Sequence, residues 1–486
     1  VHDNLLLLLQ YLPQLSRGEL AAEHRRYGGR FPPQPAAAHQ NNPDPERPLR
    51  IGYLSPDFRR HAAARFIEPL LRGRDRRHFQ VVLYGQLRDL DAVSRRLIAL
   101  ADGWCCSVGL TTEQLAQRIR ADRIDLLVDL AGHTAGNRLD VLPLRPAPVL
   151  LTTLGYPHST GLEGLAGRIS DAVLDPAGEE PFSSEPLLRL EGSFCCFQPP
   201  ADSPDLTDPP CLTTGASLRL LSPHQLFKLN DPLLQLWAAV LERLPDAELV
   251  LLRSSLTPAN QVALSQRLER CGIDPARVRM EQPPRDERGY LEAIARCDLV
   301  LDAWPHNGHT TSCEALWMGL PVITLRGDRP CGRLAASVLS AMGRHSWIAS
   351  SEQAYIDAAV AVAGDRAALR RARHSLRSQM AASVVDATAH MARLEALYRQ
   401  LWRQWSEQPQ PRSAPGRAEG ETDQAVSPIT TVPEPTETTA DASERPSVAV
   451  SYEFTSGLPA LLERLELSVL LSTYQAGRVV SIGSHQ

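Results

Sequence analysis

The sequence predicts an α/β protein of two successive lobes, each a mostly parallel sheet wrapped by helices. Three observations predict it. Short apolar runs alternate with amphipathic stretches from about residue 49 onward, the pattern left by βαβ units. A Pro/Asp/Ser-rich break at 198–210 interrupts the alternation, which then starts again. The length, 486 residues, exceeds what one hydrophobic core serves and suits about three structural units.

Taken in order, residues 1–47 read as short helices ending in the Pro-rich connector Phe31-Pro32-Pro33 and Asn42-Pro43-Asp44-Pro45. The first lobe, 48–205, holds strand candidates at 50–54, 81–84, 126–130 and 149–154. The second lobe, 206–405, holds candidates at 218–221, 249–252, 278–280, 299–301 and 322–325, and a helical pattern over 367–405 is expected to close it. Residues 406–447 are dense in Pro, Thr, Ser, Glu and Ala and nearly free of large apolar side chains, so a disordered linker is expected. Residues 448–486 show β-type patterning at 448–454 and 468–482 and read as the truncated start of a β-rich domain. No repeat of about 20–50 residues is visible. The chain opens on Val1, so further sequence is expected upstream.

Composition narrows the function classes. With 51 Lys+Arg against 56 Asp+Glu, a net charge of −5, and basic residues scattered along the chain, nucleic acid is not the expected partner. No apolar run reaches the roughly 18 residues of a membrane span. The nine cysteines include the adjacent pairs Cys105-Cys106 and Cys195-Cys196 and no CxxC spacing. That pattern points to reduced thiols and a cytoplasmic location, and away from a disulfide framework or a zinc site. Lys228 is the only lysine; the other 50 basic residues are arginine. A compact ammonium surviving such a bias marks a candidate position where arginine would not serve.

Two motifs sit at predicted strand ends of the second lobe, where ligands of α/β sheets collect. In Ser222-Pro-His-Gln-Leu-Phe-Lys228, Gln225 and Lys228 would face the cleft between the lobes. In the segment 304–321, the loop Asn307-Gly308-His309 opens a helix with Thr310 and Thr311 in its first turn. Unpaired N–H groups and a positive dipole end there suit a diphosphate, and Glu314 one turn later suits a ribose hydroxyl; ordinary capping by Thr310 is the competing account. In the first lobe His61 and His133 follow strand ends and are candidate bases. The 154–161 loop places small residues where a sugar can approach the backbone. The Asp89/Asp91 pair reads as a helix start, not a metal site, and Cys313 as a small buried residue.

These motifs are specific enough to identify a resemblance. SPDFxxH at 55–61, LVDLxGHTxGNR at 127–138, RPAPV at 145–149, LGYP at 154–157, Gln225 with Lys228, and NGHTTxxExLWMGxPV at 307–322 together resemble the catalytic region of bacterial, SPINDLY-like O-GlcNAc transferases, from about residue 2 to 405. Residues 1–47 are similar to the helical junction that follows a tetratricopeptide array in that family. The resemblance implies a GT-B fold with two Rossmann-like lobes. It implies inverting transfer of GlcNAc from UDP-GlcNAc to Ser or Thr hydroxyls of a protein acceptor, with no metal and no other cofactor. On it, His61 and Lys228 are the catalytic residues, His61 near the acceptor hydroxyl and Lys228 against the leaving diphosphate. Gln225, Lys228, Asn307, Gly308, His309, Thr310, Thr311 and Glu314 bind the donor. His133, Thr134, Leu154, Gly155, Tyr156 and Pro157 line the sugar and acceptor pocket. The stretch 458–477 is similar to the beginning of an uncharacterised, propeller-like bacterial domain.

The chain departs from the family at Ala62-Ala63-Ala64 after His61, at His158 where a glycine is usual, and at Tyr290 where animal members carry a base-contacting histidine. His158 is expected to crowd the sugar pocket. These departures leave two alternatives: a GT-B transferase of another nucleotide sugar or a non-protein acceptor, and a catalytically weak nucleotide-sugar-binding module.

Overall fold

A computed structural model describes residues 2–31, 39–213, 217–408, 469–473 and 478–482. The first sheet comprises β1 (Leu49–Ser55), β2 (Phe79–Gly85), β3 (Gly103–Cys106), β4 (Leu126–Asp129), β5 (Val149–Thr152), β6 (Gly167–Asp171) and β7 (Leu187–Leu190). The second comprises β8 (Leu218–Ser222), β9 (Ala247–Leu252), β10 (Val278–Glu281), β11 (Leu299–Leu301), β12 (Val322–Leu325) and β13 (Ile348–Ala349). Their orders are β3-β2-β1-β4-β5-β6-β7 and β10-β9-β8-β11-β12-β13, with parallel pairing throughout. This is the α/β GT-B arrangement of two Rossmann-like lobes. In each sheet the strand order reverses beside the first strand, between β1 and β4 and between β8 and β11. That crevice is where a doubly wound sheet binds its ligand.

The central strands are buried on both faces, as β1 and β4 show, and so read as near-continuous apolar runs. The four strands without a sequence candidate explain themselves. β3, β7 and β13 are sheet edges, short and only partly covered. β6 is fully buried but polar: Arg168 pairs with Asp175 at 2.7 Å, and Asp171 accepts the amides of Val173, Leu174 and Phe194.

One expectation is corrected. The pattern over 367–405 forms two helices, Arg366–Ala381 and Ala387–Ser406, and only the first stays with the second lobe. The second helix lays Met391, Leu394, Tyr398 and Trp402 on the core of the first lobe, and the Tyr398 and Tyr53 hydroxyls stand 3.4 Å apart. An apolar face at 3.6-residue spacing says that a helix packs, not against which core; the turn after Ala381 redirects it.

Near the N-terminus, Ser16 and Glu19 close a capping box on the Arg17–Gly28 helix. Residues 6–31 touch both lobes. Gln10 and His24 hydrogen bond to the Tyr156 hydroxyl at 2.7 and 2.8 Å, whereas Arg329 of the second lobe donates to the carbonyls of Leu12 and Leu15.

The chain divides into two compact units, 6–430, and 1–5 with 431–486. The described part of the latter includes an antiparallel hairpin, Val469–Thr473 with Arg478–Ile482. The expected linker beyond residue 408 and the β segment at 448–454 lie outside the described residues. Among the described residues no helix is long and apolar enough to cross a membrane.

Candidate active site at the carboxyl ends of the second sheet

β8 ends at Ser222 and β11 at Leu301, and the loops that follow them meet. Lys228 closes a single 3-10 turn, Leu226–Lys228, that follows Gln225. Its Nζ donates to the Asn307 carbonyl at 2.6 Å and to His306 Nδ1 at 3.0 Å. Burial pulls the ammonium down to about 8, with the Asp302 carboxylate opposing the fall. Lys228 therefore remains largely cationic at neutral pH without a direct carboxylate bond, which leaves its charge available to an anion.

Asp302, wholly buried just past β11, organises the loop. Its Oδ1 accepts the amides of Ala303 and Gly308 at 2.9 and 2.7 Å. Its Oδ2 accepts the Thr324 hydroxyl at 2.7 Å. His224 Nε2 stands 3.3 Å from Oδ1. Burial raises this carboxyl to about 6 even against those donors.

The Thr310–Trp317 helix begins at His309 with no side-chain cap, so capping by Thr310 is excluded and the first-turn N–H groups are left to a guest. Glycine at 308 keeps the cradle open, since a Cβ there would meet Ser312 Oγ at 2.3 Å and His224 Cε1 and Thr311 Oγ1 at 2.8 Å. Ser222 Oγ, Asn307 Oδ1 and Ser312 Oγ are buried without a hydrogen-bond partner. An unpaired buried polar atom costs about 1–3 kcal/mol, so three together mark a place built for a polar guest. Glu314 is buried, and that burial pushes it up to about 7, with Arg65 opposing and Glu287 adding to the rise; Tyr290 is its hydrogen-bonding neighbour and Arg253 stands nearby.

The first lobe contacts this site through the helix Ala64–Arg72 and the segment that follows β7. Phe66 stacks on His309 at 4.1 Å and 7°, and Arg65 forms an ion pair with Glu287. Phe194 flanks His309 at 5.5 Å, and Cys195 Sγ lies 3.2 Å from its Nε2. The His309 ring is thus committed to the opposite lobe and can serve a donor only through its backbone. His61, three residues before the helix, keeps Nδ1 3.4 Å from Asp57 Oδ2 and accepts the Ala63 amide at 3.3 Å, all within its own loop. The contacts of Arg65 and Phe66 hold that loop beside the second lobe.

The expected sugar and acceptor pocket is divided. Leu154, with φ +66°, and Gly155 lie at the strand end; Leu154 packs against the cores of both lobes. The Gly155 backbone passes close to the Leu130 carbonyl. Thr134 donates to the Ala131 carbonyl at 2.9 Å; Pro157 is half-buried. His133 and Tyr156 point the other way. His133 Nε2 bonds to the Thr160 carbonyl at 2.9 Å and its ring meets Tyr27 and Tyr156. His158 is likewise corrected: it stacks on His24 at 4.4 Å and 10°, so its bulk fills the seam with the N-terminal helices instead of the sugar pocket. A flat ring finds its best partner in another buried ring, which a glycine-to-histidine comparison cannot reveal.

Asp302, His306, His224, Arg253 and Arg65 are candidate site residues that the motifs alone do not single out. A usable signal exists for two of them: Asp302-x3-His306 repeats Asp129-x3-His133 at the equivalent strand end of the first lobe. Asp91 caps the Ala92–Leu100 helix through the Ser94 amide, and Cys313 is buried, both as expected. Among the described residues no cluster of three His, Cys, Asp or Glu is suited to a metal ion.

Comparisons with known proteins identify the family. The profile of Glycosyl transferase family 41 matches residues 33–196 and 221–393. The probable UDP-N-acetylglucosamine–peptide N-acetylglucosaminyltransferase SPINDLY of Petunia hybrida is 33% identical over 414 residues, 83% of this chain and 44% of that protein. Its counterpart in Arabidopsis thaliana is 34% identical over 415 residues, again 83% of this chain and 45% of that protein. The chain thus spans less than half the length of these relatives. Among solved structures, a mutant of the Thermobaculum terrenum O-GlcNAc transferase superposes with a TM-score of 0.79 at 32% identity, covering 83% of this chain and 78% of that one.

Proposed function

The chain belongs to Glycosyl transferase family 41, and from that premise we propose that it transfers N-acetylglucosamine from UDP-GlcNAc to Ser or Thr hydroxyls of a protein, with inversion and without a metal. The observation that carries this is the placement of Lys228 and the uncapped Thr310–Thr311 helix start together at the switch point between β8 and β11.

Breaking a glycosyl–phosphate bond builds negative charge on the departing diphosphate, and prearranged donors at that end supply the largest electrostatic gain. Lys228 takes the charge, the first-turn amides with the Thr310 and Thr311 hydroxyls share it, and Gln225 adds a donor at the edge. Glu314 receives the ribose. His61 stands by the acceptor hydroxyl, whose proton leaves late in the reaction. Leu154, Gly155 and Pro157 give the sugar a small-residue floor.

The test is UDP release from UDP-GlcNAc with and without a protein acceptor, comparing the wild type with Lys228→Ala. We expect acceptor-dependent release that falls by about a hundredfold or more in the variant. Calorimetry with a panel of UDP- and GDP-sugars runs beside it. Preference for a GDP-sugar would overturn the donor assignment, and binding without any release would favour a nucleotide-sugar-binding module.

A further inference from the structure

Lys228 does not sit in its loop unaided. His306 Nδ1 lies 3.0 Å from the ammonium and 3.0 Å from the Asn307 carbonyl that the ammonium also reaches, so ring, cation and carbonyl form one closed cluster. His306 is buried and held neutral by that burial, with the Lys228 charge acting the same way. Its ring is covered by Tyr11, stacked at 4.8 Å and 18°. Tyr11 in turn meets Phe227, the neighbour of Lys228, edge-on at 4.8 Å and 69°. Tyr11 lies in the turn between the two N-terminal helices. The Cys331 thiol hydrogen bonds to the Gln10 carbonyl at 3.7 Å and Arg329 holds the Leu12 and Leu15 carbonyls, so this turn is anchored on both sides of the tyrosine.

We propose that Tyr11 and His306 are positioning residues for Lys228: the Tyr11 ring clamps His306 against the ammonium and the Asn307 carbonyl, and it excludes water from the ammonium. The N-terminal helices thereby set both the place and the charge of the cation that meets the donor diphosphate. The proposal rests on the donor-site reading of Lys228. The charged and titratable groups around the ammonium are Asp302 after β11, His306 and His309 in the loop that follows, His224 after β8, Arg253 after β9, and Cys331 in the turn before the Leu334–Ala341 helix. Tyr11 is the aromatic cover contributed by residues 6–31.

The experiment is UDP affinity by calorimetry on the whole chain from about pH 6.5 to about pH 9.5, the range across which a buried lysine titrates. Wild type, Lys228→Ala, Tyr11→Phe and Tyr11→Ala are compared, with Tyr11→Leu as a second variant that keeps bulk without the flat stack. Wild-type affinity should fall as pH rises through about 8, and this component should be missing in Lys228→Ala. Tyr11→Ala and Tyr11→Leu should move the fall upward by about one pH unit, because water regains the ammonium, and should lower the plateau affinity by about tenfold. Tyr11→Phe should match the wild type. An unmoved midpoint in both Tyr11→Ala and Tyr11→Leu overturns the positioning role while leaving the donor site intact. Superimposable wild-type and Lys228→Ala curves overturn the donor-site reading itself.

Discussion

The strand ends of the two lobes are built to one plan and used for two purposes. In the first, Asp129 at the end of β4 accepts the Ala131 and Gly132 amides and the Thr152 hydroxyl of the next strand. In the second, Asp302 accepts the Ala303 and Gly308 amides and the Thr324 hydroxyl. Both carboxyls are buried and raised to about 6 by that burial. A histidine follows each by four residues. There the likeness stops: His133 turns to the Thr160 carbonyl under the N-terminal helices, whereas His306 turns its Nδ1 to Lys228 and the Asn307 carbonyl. The first crevice is filled by protein at this point, and the second is left polar, cationic and unsatisfied. A shared backbone device thus fixes the loop, and what is inserted beside it decides whether the loop supports a seam or keeps unsatisfied polar atoms beside a cation.

The widest expected separation between the two comes from Asp302→Asn and Asp129→Asn. Each amide can accept as the carboxylate did at only one oxygen, so each leaves at least one buried donor unpaired, at about 1–3 kcal/mol. Thermal or urea unfolding should register comparable losses. UDP binding should be abolished only in Asp302→Asn, whose loop carries Asn307 and Gly308. Equal loss of binding in both variants would break the comparison and assign the first-lobe loop to the donor as well.

Glycines separate the lobes by a smaller margin. A Cβ at Gly308 meets the tips of Ser312 and Thr311 and the His224 ring, side chains that can shift at modest cost while closing the cradle. A Cβ at Gly132, where φ is +53°, meets Tyr156 Cβ at 2.3 Å, close to the backbone and unable to give way. Gly308→Ala should therefore weaken UDP by about tenfold with little change in stability, and Gly132→Ala should cost about 1–3 kcal/mol of stability with UDP affinity kept. Calorimetry and denaturation on the same two proteins check both halves.

The same physics explains why the sequence is legible in some places and silent in others. Central strands such as β1, β4, β8 and β11 are buried on both faces and announce themselves as apolar runs. Lys228, Gln225 and the Thr310–Thr311 turn stand out as candidates because residue type and strand-end position agree. Asp302 is not, since a single aspartate after a strand looks like any turn residue until its donors and neighbours are seen in space. Tyr11 is less legible still: its partners His306 and Phe227 are more than two hundred positions away. The orientations of His133, Tyr156 and His158 escape the sequence because a strand-end loop has two sides, and only packing tells the cleft from the seam.

That seam yields the smallest effect and a sign that can be worked out. His158 is buried against His24, and burial, reinforced by the neighbouring His24 and Arg168, holds it well below the ordinary imidazole range. It is neutral when folded and free to protonate near 6.5 when unfolded, so the unfolded chain binds more protons below that pH and stability falls as pH drops. The stability slope between about pH 6.5 and about pH 5 should lose about 1.4 kcal/mol per unit in His158→Phe, which keeps a flat ring on His24 and removes one titrating group. Asp129 and Asp302, raised to about 6, act in the opposite sense over the same window, stabilising the fold as they protonate, so only the difference between variant and wild type isolates the histidine. Urea titrations of the two proteins across that range give it directly. An unchanged slope would mean that His158 takes up its proton in the folded state, and the seam would then be open to water rather than the sealed counterpart of the candidate donor site.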